Sequence, residues 1–155
     1  MTVPAPARPA PVGGRRTVLL GTVASDAHTW NLVYLQLLLE EAGHRVVNLG
    51  ACVPADLFAA ECRRHHPDLV VVSSVNGHGH TDGKRLAAVL RADPALADVP
   101  IVIGGKLGVD GSLTGPQIDE LLAAGYTAVF DDSADRDRFL TYLRRLELVG
   151  AGRPG

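Results

Sequence analysis

At 155 residues the chain has room for one domain of ordinary size and none for a second large core. Hydrophobic residues at 46% and charged residues at 21% exclude disordered, collagen-like and fibrous classes, and aromatics at 5% leave the core to Leu, Val, Ile and Ala. A net charge of −2 offers no footprint for nucleic acid or an anionic membrane, and no apolar run reaches the roughly 20 residues of a spanning helix.

Residues 1–15 are rich in proline and alanine and read as a disordered leader without the apolar stretch of a secretory signal. The folded domain is expected over 16–148, with 149–155 as a disordered tail. Thr17–Thr22 is a first strand. Residues 32–42 form a first helix, stopped by Gly43. A strand over 45–49 and a helix over 54–66 follow, the helix opened by Pro54. Leu69–Ser74 is the most hydrophobic run and the third strand. A helix over 83–91, a strand over 101–104 and a helix over 117–124 come next, with Gly125 as the stop. Ala128–Phe130 is a short last strand, and a helix over 134–146 closes the domain.

Five βα units in alternation predict an α/β fold with a parallel sheet covered on both faces. A doubly wound sheet of five strands is expected to be flavodoxin-like, in order 2-1-3-4-5. Ligands then bind at the carboxyl ends of the strands, where strands 1 and 3 diverge. Cys52 and Cys62 form no CxxC pair and are expected to be small buried hydrophobes in a reducing, cytoplasmic setting.

Three loops bring small and polar residues to that rim. The first holds Ser25-Asp26-Ala27-His28-Thr29-Trp30-Asn31, the second Ser73-Ser74-Val75-Asn76-Gly77-His78-Gly79-His80, and the third runs from Gly104 and Gly105 to Gly111. A phosphoacceptor receiver would need an Asp after strand 3, where serines stand. A flavin carrier would need a Ser/Thr-rich phosphate loop where Asp26 and His28 stand. Asp26-Ala27-His28 suits another chemistry: imidazole ligates transition metals, and a carboxylate on its far nitrogen fixes the tautomer. The same three residues also fit a helix-capping Asp beside an ordinary surface His. His78 and His80 are either a chelating pair or a polar rim. His44, His65 and His66 read as structural, and Asp131 and Asp132 as a solvated turn.

The run from Gly21 to His28 resembles the D-x-H-x-x-G loop of cobalamin-binding domains. Ser73-Ser74-Val75 resembles their second motif and Ile103-Gly104-Gly105 their third. The chain's length, Val46-Val47-Asn48-Leu49-Gly50, and the run from Ser73 to Gly79 are similar to the small subunits of glutamate mutases. The resemblance implies that His28 coordinates cobalt in place of the cofactor's own benzimidazole and that Asp26 holds the ring. It implies that Ser25, Ala27, Thr29, Ser73, Ser74, Val75, Gly104 and Gly105 border the cofactor. The nucleotide tail would lie between the sheet and the helices after strands 1 and 4, its exit walled by Lys106, Leu107, Gly108, Val109 and Asp110.

The implied function is that of the subunit that binds adenosylcobalamin for a carbon-skeleton mutase converting glutamate to 3-methylaspartate. A separate barrel-type large subunit would dock over His78, His80 and 106–110. A corrinoid carrier or B12-dependent sensor is the alternative. One position departs from the pattern: Asn31 stands where the motif has its glycine, its side chain filling space a glycine leaves open and so bearing on the depth of the tail pocket, and the same residue can also cap the first helix.

Overall fold

The computed structural model describes residues 16–74, 79–105, 113–130 and 136–151. Their elements run β1 (Thr17–Thr22), α1 (Trp30–Glu41), β2 (Arg45–Asn48), α2 (Ala55–His65), β3 (Leu69–Ser74), α3 (Gly79–Arg91), β4 (Ile101–Gly105), α4 (Gly115–Ala124), β5 (Ala128–Phe130) and α5 (Arg136–Ala151). The strands form one parallel sheet in order β2-β1-β3-β4-β5, the flavodoxin-like arrangement expected.

Aliphatic strands without polar alternation bury both faces, and the two cores divide the side chains by parity. Leu19, Val70, Val72, Ile101 and Ile103 point to the face covered by α2, α3 and α4, where Phe58, Leu86, Leu90 and Leu121 pack. Val18, Leu20, Leu69, Val71 and Val102 point to the face covered by α1 and α5, against Leu32, Leu39, Phe139 and Leu143. Each fully buried large aliphatic side chain is worth about 1.5–3 kcal/mol against an exposed one. The central strand β3 is buried throughout, so its end is fixed by packing on both sides.

The helices differ in extent from the sequence reading, most of all α3 and α5. α3 begins at Gly79, earlier than the expected Gly83, because Gly83 lies inside the helix. Its bare Cα lets Ile103 approach, and its carbonyl accepts the buried Tyr126 hydroxyl at 2.7 Å. α4 opens at Gly115 behind a capping box between Thr114 and Gln117. α5 continues to Ala151, since nothing over 147–149 breaks a helix. Asp131, Asp132 and the leader lie outside the described residues.

The cysteines also depart from expectation in part. Cys62 is buried in α2, but Cys52 is exposed on the carboxyl rim. Burial, with Asp93 nearby adding to it, pushes the Cys62 thiol up to about 12. Folding thus gains from the neutral thiol below its ordinary value of 9.0, and loses that gain as pH rises toward 12. An alkylating reagent at about pH 8 should label Cys52 in the folded chain and Cys62 only after denaturation, since the thiolate is the nucleophile. Mass spectrometry of native and denatured samples checks this. Equal labelling rates at both thiols in the native chain would refute it.

Candidate functional site

Where β1 ends, the chain must turn from the sheet into α1, and the turn is built around one buried carboxylate. Val23 extends the sheet by donating its backbone N–H to Ser73 at 3.2 Å. Asp26 then folds back, its N–H bonded to the Val23 carbonyl at 3.1 Å. The Asp26 carbonyl accepts from Cys52 N–H at 2.8 Å and from the Thr22 hydroxyl at 3.1 Å. Cys52 N–H also reaches that hydroxyl at 2.8 Å. Cys52 holds a left-handed φ of 53° to make these contacts. The β2–α2 loop therefore braces the Asp26 turn.

Asp26 is fully buried, and its Oδ1 accepts two bonds from His28: the backbone N–H at 2.9 Å and ring Nδ1 at 2.7 Å. The first closes an Asx turn that carries the chain to the helix. The second fixes the ring. A carboxylate only accepts, so Nδ1 carries the hydrogen and Nε2 keeps its lone pair. The imidazole side chain is 48% exposed, which leaves Nε2 open to a ligand from outside. Asp26 is thus no helix cap: α1 starts at Trp30, and Thr29 holds the cap position without a side-chain bond.

The remaining predicted residues divide between rim and floor. Ser25, Ala27 and Thr29 are exposed beside His28, and the Ser25 hydroxyl is bonded to the Asp82 carboxylate of α3. Ser73 and Ser74 are buried at the end of β3, paired in register with Gly104 and Gly105. Gly105 has φ +107°, and a Cβ there would lie 2.2 Å from the Ser74 carbonyl oxygen. Val75, Lys106, Leu107, Gly108, Val109, Asp110 and His78 lie outside the described residues. His80 pairs with Glu120 at 3.0 Å. Lys84 donates to the same oxygen at 3.0 Å and holds that carboxyl below its ordinary range.

Two sequence expectations are corrected. Asn31 does not cap α1. It lies inside the first turn, and its side-chain amide donates to the Ser73 hydroxyl. The helices after strands 1 and 4 pack on opposite faces of the sheet, α1 with the Phe139 core and α4 with the Phe58 core. A slot touching both must straddle the carboxyl edge. Trp30 is 63% exposed and so is not packed under α1.

The donor set fits a corrin-bound cobalt. Among the described residues no three His, Cys, Asp or Glu side chains gather as a metal site. One oriented imidazole suits a metal that arrives with its equatorial ligands already in place. The small residues Ser73, Ser74, Gly104 and Gly105 end the neighbouring strands, with the Asn31 amide bonded to the Ser73 hydroxyl.

A family description of the B12 binding domain matches residues 16–122, so the chain belongs to the B12-binding domain family. Within it, the chain is 35% identical over 129 residues to glutamate mutase sigma subunit 1 of Haloarcula marismortui, covering 83% of this chain and 84% of that protein. It is 43% identical over 93 residues to the glutamate mutase sigma subunit of Halobacterium salinarum, 60% of this chain and 61% of that one. In fold it resembles a cobalamin-binding protein from Desulfitobacterium hafniense, with TM-score 0.66 and 19% identity over 84% of this chain and 58% of that chain. The chemotaxis protein CheY4 of Vibrio cholerae shares the fold at TM-score 0.63 and 16% identity, over 84% of this chain and 98% of that one. No helix among the described residues is long and apolar enough to cross a membrane.

Replacing Asp26 with asparagine is expected to weaken cobalamin binding about 10–100-fold, the usual effect of losing a carboxylate behind a metal-bound histidine. The asparagine amide can also turn a donor toward Nδ1 and change the tautomer. Absorbance titration with cobalamin checks it, and affinity equal to the parent's would reduce Asp26 to a turn-forming residue.

Proposed function

We propose that this chain is the cobalamin-binding subunit of a glutamate mutase, with His28 Nε2 as the protein's donor to cobalt. The observation that carries the reading is the Asp26–His28 pair: a buried carboxylate on Nδ1 and an exposed Nε2 on the ligand-binding rim, in a chain of sigma-subunit kinship. Bound adenosylcobalamin supplies a weak cobalt–carbon bond whose homolysis starts a radical rearrangement. The chain's own residues do quieter work. Asp26 holds the imidazole in one tautomer and orientation, and its second bond, from the His28 N–H, keeps carboxylate and ring in register. The Thr22, Cys52 and Asp26 contacts hold the loop to the sheet, and Ser73, Ser74, Gly104 and Gly105 form the floor toward the cofactor's tail.

A large mutase subunit supplies the substrate pocket, and we place it over the rim, at His80. The outer face of α1 supports assembly: Trp30, Val33, Tyr34 and Leu37 recur at helical spacing and are all exposed, while Leu32, Leu38 and Leu39 fill the inner face. A helix that is apolar all round is usually buried all round. The relatives named as mutase sigma subunits favour this reading over a corrinoid carrier or sensor.

The test is conversion of glutamate to 3-methylaspartate with adenosylcobalamin, using this chain alone, a barrel-type large mutase subunit alone, and both together. The chain alone should bind cobalamin and convert nothing, and the mixture should turn over. Turnover by the chain alone, or a stable complex with a methyltransferase in place of the mutase subunit, would overturn the reading.

A further inference from the structure

Asn31 sits in the first turn of α1, yet its side chain does nothing for the helix. Its Nδ2 donates to the hydroxyl of Ser73, 42 residues away at the end of β3. Ser73 is 1% exposed and lies between two paired neighbours, Thr22 of β1 and Gly104 of β4. The bond therefore runs from the helix after β1 to the floor at the end of β3. This is also where the connections part: α1 covers one face of the sheet, and α2 and α3 cover the other. In doubly wound sheets a ligand crevice opens at that divergence. Here an amide side chain lies across it, pinned to one of the small residues that would otherwise leave the floor clear.

We infer that Asn31 is a specificity-determining latch, whose bond to Ser73 must open before a ligand can send a bulky group beneath the rim between β1 and β3. The inference rests on the cobalamin reading and refines it. Cobalamin carries a nucleotide with a benzimidazole base, whereas cobinamide is the same corrin without that nucleotide. Entry of the nucleotide must part Asn31 from Ser73. A corrin that stops at the rim need not disturb them. The latch therefore disfavours cobalamin relative to cobinamide, by about the 3–10-fold that one neutral hydrogen bond carries.

Stopped-flow and equilibrium absorbance titrations with hydroxocobalamin and with cobinamide test this on the full chain, Asn31→Ala and Asn31→Gly. Alanine removes the amide and favours the helix, so that variant guards against a folding defect in the glycine variant. Both variants should take up cobalamin faster and bind it about 3–10-fold more tightly, with cobinamide changed by less than about twofold. Cobalamin binding unchanged or weakened in both variants would overturn the latch and make Asn31 a ligand contact or a bystander. An equal gain for both corrinoids would also overturn it, as general loosening of α1. Failure of the parent chain to bind either corrinoid would instead sink the cobalamin reading itself, and the latch with it.

Discussion

Replacing His28 with alanine is expected to weaken cobalamin binding by more than about 100-fold, beyond the range for losing the carboxylate behind it. The ring is half exposed and packs into no core, so the loss belongs to the ligand and not to the fold. One structural cost remains: Asp26, fully buried, would keep the backbone N–H of residue 28 but lose its partner at Nδ1. An acceptor stripped of a buried bond costs about 1–3 kcal/mol. His28→Asn separates the two effects, because its amide can still donate to Asp26 but offers no imidazole nitrogen. It should unfold near the parent's midpoint and still fail to bind. Electron paramagnetic resonance of the Co(II) form with nitrogen-labelled histidine supplies the direct readout. Hyperfine coupling should follow the label in the parent chain. Coupling to the cofactor's own benzimidazole would refute the assignment.

The sheet was legible because its information is local and redundant. Residues 69–72 are apolar at every position, as a strand covered on both faces must be, and Gly43 and Gly125 stand at helix ends with positive φ. Alternation of such runs with amphipathic segments fixes a parallel sheet, and the handedness of its crossovers leaves few topologies. The start of α3 was less legible because it depends on contacts distant in sequence. Gly83 resembles a loop residue until Ile103 and Tyr126 are seen against it.

The Asp26–His28 pair was visible for a related reason: an Asx turn spans two residues, so its bonding partners are neighbours in the sequence. What holds the pair was not visible. Thr22, Cys52 and Asp82 reach the loop from β1, the β2–α2 loop and α3, and nothing in their spacing announces it. Asn31 departs visibly from the motif, but capping is the commonest local use of an asparagine at a helix start, and sequence alone does not decide between that and a pocket-filling side chain. Ser73 lies too far along the chain to compete in that reasoning.

Replacing Gly105 with alanine should be the most damaging single-methyl change on the floor of the site. Its φ of +107° is strained for any residue with a side chain, at about 1–2 kcal/mol. The new Cβ would also lie 2.2 Å from the Ser74 carbonyl oxygen, a backbone atom that cannot rotate away as a side-chain tip can. Ser74 is fully buried and paired with Gly105, so relief requires the ends of β3 and β4 to separate. A total of about 3 kcal/mol is expected, which for a chain of this size lowers the unfolding midpoint by about 6–12 °C. Gly104→Ala is the matched control. Its Cβ would meet the Phe130 carbonyl at 3.3 Å without a positive φ, and should cost less than about 1 kcal/mol. Thermal unfolding of the two variants checks the ranking. Cobalamin titration then shows whether the floor is shared with the ligand: the Gly105 variant should lose binding even at temperatures where it stays folded, because Ser73 and Ser74 have moved with β3. Midpoints within a degree or so of each other would mean that the strand ends yield freely and that the floor is not a rigid surface.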